Sequence, residues 1–282
     1  RATATAVAYS GGNIGQLIGF AFGPLIVQDK ADGVAWLLAV ELGMAVLACV
    51  LLGAFLPERP LRPVSAVAGQ PGPASARAWL RTTWRALTNR DLLCLALLTG
   101  TQAGVIASWA GLIDQALVPP LFSTTIASAT GIANTAACLM GNAAGGVLAD
   151  RCFRMRLKRF LVLIFAGAAC SFCGYSLTMP SIFSGAPLLT AGPQVIGWAA
   201  AAGFFQGCAD PVLYELASEI IYEPNAGSEG LAAGAIVLVW NVAALAMLLI
   251  APHATGTSLV NAIVVIVFVL AALSVALFVR EA

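Results

Sequence analysis

The chain has 282 residues, 60% of them hydrophobic and only 10% charged, with a net charge of +1. This excludes an ordinary soluble domain, in which about a quarter of residues are charged, and gives no global field that would draw nucleic acid. It is the composition of a membrane protein.

A spanning helix needs about 20 mostly apolar residues, and the sequence predicts eight in chain order: Thr5 to Gln28, Val34 to Leu56, Asp91 to Val118, Thr124 to Ala149, Phe160 to Met179, Leu189 to Glu215, Leu231 to Ala251 and Ser258 to Val279. The first and fourth carry polar residues and glycines that weaken the hydropathy signal. The expected fold is therefore all-α and polytopic. The expected division is two helices in residues 1–56, a basic linker in 57–90 and six helices in 91–282.

Within the first segment, "SGGNIGQLIGFAFGP" sets Gly11, Gly15, Gly19 and Gly23 four residues apart. That spacing predicts a glycine ridge on which another helix backbone can pack closely. Asn13 and Gln16 interrupt it with amides, which need partners or a polar cavity when buried.

The long break closes in a basic amphipathic stretch, with Trp79 and Trp84 flanking Arg81 and Arg85, as suits a helix lying at the headgroup boundary. Eight crossings make successive connections alternate sides. Arg1, six arginines of the break, five basic residues of "RCFRMRLKR" and Arg280 then fall on one side, which is 13 of the 14 Lys and Arg residues. By the positive-inside rule this side is expected to be cytoplasmic, with His253 facing the other way. The seven cysteines lie scattered in apolar segments and read as reduced packing residues. No cofactor or metal is expected.

The segment from Leu189 ends in "ADPVLYELASEIIYE", where Asp210, Glu215 and Glu219 interrupt an apolar run. Glu215, Glu219 and Tyr222 share one helical face. Acids so placed persist when they pair, serve a function or reach the interface. Gln102, Trp109, Gln115, Trp240 and Asn241 complete the set of polar and aromatic candidates for substrate contact or gating.

Two motifs carry a resemblance. Gly146, Asp150 and Arg151, with the basic run behind them, resemble the G-x-x-x-D-R/K-x-G-x-R/K-R/K signature of the major facilitator superfamily, with Phe153 where that signature has its second glycine. "FFQGCADPVLYELASEIIY" resembles the tenth helix of the feline leukaemia virus subgroup C receptor-related transporters, a branch that includes the disrupted in renal carcinoma 2 type. "GNIGQLIGFAFGP" and "ASWAGLIDQ" resemble that family's fifth helix and the end of its seventh.

The resemblance implies helices five to twelve of a twelve-helix facilitator lacking its first four spans, working by alternating access. Implied substrates are small organic solutes such as choline or ethanolamine, haem, or a pyridoxine-like compound. The family's fifth-helix glutamine aligns with Asn13, its seventh-helix tyrosine with Ala107 and its eleventh-helix glutamine with Val237, so the aromatic and amide walls of a choline site are not reproduced. Expected partners are membrane lipid and a small-molecule substrate, without nucleic acid, for a monomer that is not an enzyme. A membrane receptor or scaffold without transport is the alternative.

Overall fold

The computed structural model describes residues 2–27, 32–55, 75, 77, 80–81, 83–84, 88–113, 117, 122–153, 156–178, 192–220, 229–250 and 257–278. They form eight long helices: α1 Ala2–Val27, α2 Gly33–Phe55, α3 Arg90–Gly111, α4 Thr124–Cys152, α5 Leu157–Leu177, α6 Gly192–Ile220, α7 Glu229–Ile250 and α8 Thr257–Phe278. No strand occurs among the described residues. The expected amphipathic helix near Trp79 and Trp84 falls mostly outside them, as do Gln115, Tyr222 and His253.

Local chemistry sets the helix ends. The Asn89 side chain accepts from the backbone N–H groups of Asp91 (3.0 Å) and Leu92 (3.1 Å), satisfying two orphan donors at the start of α3. Ser123 caps α4 through the Ile126 N–H at 3.4 Å. At the far end of α4, Phe153 donates its N–H to Leu148 O at 3.1 Å, and Arg156 donates to Phe153 O at 2.8 Å, closing the turn into α5. Phe153 has φ −122° there, which any L-residue adopts, so this turn does not require the signature's glycine. Its ring instead packs on Phe160, centroids 4.8 Å apart.

Six helices, α2, α3, α4, α5, α7 and α8, contain runs long and apolar enough to cross a membrane on composition alone. The other two, α1 and α6, have 26 and 29 residues, about 39 and 44 Å at 1.5 Å per residue, which exceeds a hydrocarbon core of about 30 Å. They are less apolar because they carry the polar groups described below. Helix α4, expected to be among the weakest spans, passes; α6 takes its place. Helix α6 also runs on to Ile220, so Glu215 and Glu219 lie inside its last turns.

Helices α3 to α8 pack around a core in which Trp109 of α3 is completely enclosed. Its ring meets Phe172 and Tyr175 of α5 edge-on at 5.3 and 5.2 Å, and Phe172 stacks on Phe268 of α8 at 5.0 Å. Edge-on and offset contacts of this kind add about 0.5–1.5 kcal/mol each beyond area burial. Helix α7 lies close on α3: a Cβ on Gly100 would meet Ile236 O at 2.9 Å, and Ser108 Oγ donates to Ala244 O at 3.0 Å. Helix α2 touches α1 and leaves Trp36, Leu42 and Phe55 exposed.

The glycine ridge of α1 meets none of the described helices. Gly11, Gly15, Gly19 and Gly23 have nothing within 4 Å of the place a Cβ would occupy. The reason is rotational: α1 turns Ala6, Asn13 and Phe20 toward α4, and at 100° per residue the ridge lies on the opposite side. The close approaches occur elsewhere, at Gly141 and Gly145 of α4 and Gly203 and Gly207 of α6, where a Cβ would collide with the facing backbone.

Candidate functional site

Helix α1 runs antiparallel along α4 in a regular register. Near the end that leads into the basic 151–159 run, the Asp150 carboxylate accepts from the Thr3 backbone N–H at 3.0 Å and its hydroxyl at 2.6 Å. Gly146 faces Ala6, where an added Cβ would come within 2.9 Å of the alanine methyl. Deeper, Asn13 Nδ2 donates to Cys138 Sγ at 3.6 Å, and Phe20 lies over Gly131. From Thr3 to Phe20 this seam extends about 25 Å.

Helix α6 closes the third side. Tyr214 meets Tyr9 of α1 with ring centroids 5.7 Å apart and a hydrogen bond between their phenols. One turn earlier, Asp210 is 6% exposed, and its Oδ1 accepts from Gln206 Nε2 at 3.2 Å. The oxygen of Gln206 takes a hydrogen bond from Gln102 Nε2 of α3, so an amide chain links α3 to the acid. Pro211 has no N–H, which leaves the Gly207 carbonyl without its helical donor beside the same acid. Asn142 of α4 is completely enclosed, and neither amide atom has a partner among the described residues.

The sequence candidates therefore divide. Asn13, Gln102 and Asp210 are buried in or beside the seam, and Gly146 and Asp150 join α4 to the first turn of α1. Trp109 belongs to the aromatic core of α3, α5 and α8. Gln16, Arg151 and Glu219 are exposed, Glu215 and Trp240 half-buried. Asn241 is exposed, and its amide donates to Val237 O of its own helix at 2.8 Å. The Glu215 and Glu219 face thus leads away from the buried acid.

Sequence reasoning missed Tyr9, Cys138, Asn142, Gln206 and Tyr214 as site residues. A usable signal was present. Gln206, Asp210 and Tyr214 recur at four-residue intervals and so form one stripe, as do Tyr9 and Asn13 on α1.

The Major Facilitator Superfamily family model matches residues 1–244. The chain belongs to the major facilitator superfamily. It is 29% identical over 263 residues to the Solute carrier family 49 member 4 homologs of Xenopus laevis and Xenopus tropicalis, an alignment covering 86% of this chain and 54% of each relative. It is 26% identical over 279 residues to an uncharacterized MFS-type transporter of Caenorhabditis elegans, covering 92% of this chain and 44% of the relative. The chain spans about half the length of the curated relatives it matches. Membership and the run of apolar helices make this facilitator-superfamily chain a multi-pass integral membrane protein.

Proposed function

We propose that the protein moves a small organic solute across a membrane by alternating access, with α1 and α2 belonging to one half and α3 to α8 to the other. The observation that carries this reading is the seam. A transporter of two halves must open and close a contact between them, and here α1 meets α4 and α6 through polar pairs and small residues. Thr3 with Asp150, Asn13 with Cys138 and Tyr9 with Tyr214 are contacts that can part and reform, because water or solute can replace each partner. The signature residues Gly146 and Asp150 have a defined role in it: glycine admits the first turn of α1, and the carboxylate accepts from that turn.

The similarity to solute carrier family 49 members supports a small-solute substrate. Choline is the first candidate to test, and poor uptake is expected: Ala107 supplies no aromatic face and Val237 no amide, and an aromatic wall contributes about 0.5–2 kcal/mol to holding a quaternary ammonium. The test is uptake of labelled choline, ethanolamine, haem and pyridoxine by full-length protein in proteoliposomes, against empty vesicles. Uptake of one of them above empty vesicles supports the reading. A protein that binds one of them but moves none would be a receptor.

A further inference from the structure

We infer that a buried water site, outside the α1 seam, ties the last turns of α3 and α5 to the first turns of α8. Its members are Trp109, Tyr175, Ser176 and Asn261, and it does not depend on α1 being mobile.

Five side-chain atoms define the site. Trp109 Nε1, the Tyr175 phenol oxygen, Ser176 Oγ and both amide atoms of Asn261 are enclosed and have no hydrogen-bond partner among the described residues. They are five of the eight atoms in that condition there, so the orphans are concentrated rather than scattered. Trp109 and Tyr175 are wholly buried, and Asn261 is 3% exposed. Other buried hydroxyls of α3 and α5 behave differently. Thr99, Ser108, Ser171 and Thr178 each donate to a carbonyl three or four residues earlier, at 2.7, 2.9, 2.9 and 2.6 Å. Ser176 makes no such bond.

Helix register brings these atoms to one level. Trp109 meets Tyr175 with ring centroids 5.2 Å apart, and its N–H neighbours the phenol oxygen without a hydrogen bond of ordinary geometry. Helix α8 crosses antiparallel to α5, and Phe268 lies between Phe165 and Phe172, with centroids at 6.4 and 5.0 Å. Going back two turns of α8 from Phe268 to Asn261, about 10 Å, moves the same distance forward on α5. That reaches Tyr175 and Ser176. Asn261 keeps the inward face of Phe268, as does the enclosed Val264 between them.

The chemistry selects water. No Asp, Glu, Lys, Arg or His occurs in 92–111, 160–177 or 257–278, so nothing on these stretches balances an ion. The near-complete enclosure of Trp109, Tyr175 and Asn261 excludes a larger solute. A water accepts two hydrogen bonds and donates two. This suits the Trp109 N–H and Asn261 Nδ2 as donors and the Tyr175, Ser176 and Asn261 oxygens as acceptors. Left unmade, those bonds cost the desolvation of five polar atoms. Made through water, they join α8 to α3 and α5 beyond the Phe172 and Phe268 stack.

The experiment reads the Trp109 N–H by ultraviolet resonance Raman difference spectra of full-length protein in detergent, in which the unchanged tryptophans cancel. The parent is compared with Asn261→Leu, which fills the site with hydrocarbon, and with Tyr175→Phe, which removes only the phenol oxygen. One indole is expected to go from hydrogen-bonded to free in Asn261→Leu and to stay hydrogen-bonded in Tyr175→Phe. Loss of the bond in Tyr175→Phe would overturn the proposal, because Trp109 would then bond Tyr175 directly. Its persistence in Asn261→Leu would overturn it as well. If Asn261→Leu does not fold, a parent structure fine enough to show ordered waters decides. Density of one water within about 3 Å of both Trp109 Nε1 and an Asn261 amide atom is expected; no density there, or density larger than water, would overturn the site.

Discussion

The interface of α4 with α6 and the helices α2 and α7 solve the same problem in opposite ways. Helices α4 and α6 hold polar residues in the membrane and approach until glycines meet backbone, at Gly141, Gly145, Gly203 and Gly207. Asn134 Nδ2 even donates to Ala199 O across the gap at 2.8 Å. Helices α2 and α7 are strongly apolar, with Leu42, Phe55, Leu238 and Leu249 exposed. Lipid is as apolar as leucine and so drives no association of such faces. Steric fit and hydrogen bonds hold the first region, and they also hold the inner face of α7 on α3, where Gly100 meets Ile236 O and Ser108 donates to Ala244 O; the apolar outward faces of α2 and α7 need only be soluble in hydrocarbon. Close approach is thus set face by face, by small residues and polar groups, and α6 carries enough of the polar ones for its hydropathy to fall short.

The sharpest way to break that comparison is to exchange the steric demand. Gly207→Val places a branched side chain against the Cys138 backbone, so the variant is expected to lose folded protein on membrane extraction. Gly19→Val meets none of the described residues and is expected to be recovered from this chain at parental yield. Equal yields would show that the glycine contact is not structural.

Next in size is Trp109→Ala, which empties the aromatic core and is expected to cost about 3–5 kcal/mol, seen as lower thermal stability in detergent. Asp150→Ala removes two hydrogen bonds to Thr3 and is expected to weaken the α1 contact by about 1–3 kcal/mol. It should increase labelling of Thr3→Cys by a water-soluble thiol reagent while leaving the Trp109 core intact. Smallest is Asn241→Ala, an exposed position whose amide bonds only within α7; its stability is expected to stay within about 0.5 kcal/mol of the parent.

How much of this was legible in the sequence follows from which signals are local. Helix number and approximate position could be read because apolar length is a local property, and Gly146 and Asp150 could be read as a motif. Rotation about each helix axis could not, since it depends on which neighbours are present. The sequence shows the ridge from Gly11 to Gly23 but not that Ala6, Asn13 and Phe20 form the face that meets α4. The same limit grouped Asp210 with Glu215 and Glu219 and left out Gln206 and Tyr214, the residues that share its face. Both stripes have four-residue spacing, and only the structure shows which one turns inward.

The central claim is that α1 must separate from α4 for a solute to pass, and joining the two tests it most directly. Thr3 and Asp150 are in side-chain contact at 2.6 Å, so a Thr3→Cys and Asp150→Cys pair can be oxidised to a disulfide in full-length protein whose exposed cysteines have been removed. The account predicts that uptake of the transported solute falls to the level of empty vesicles on oxidation and returns on reduction. Unchanged uptake with the cross-link complete would contradict it.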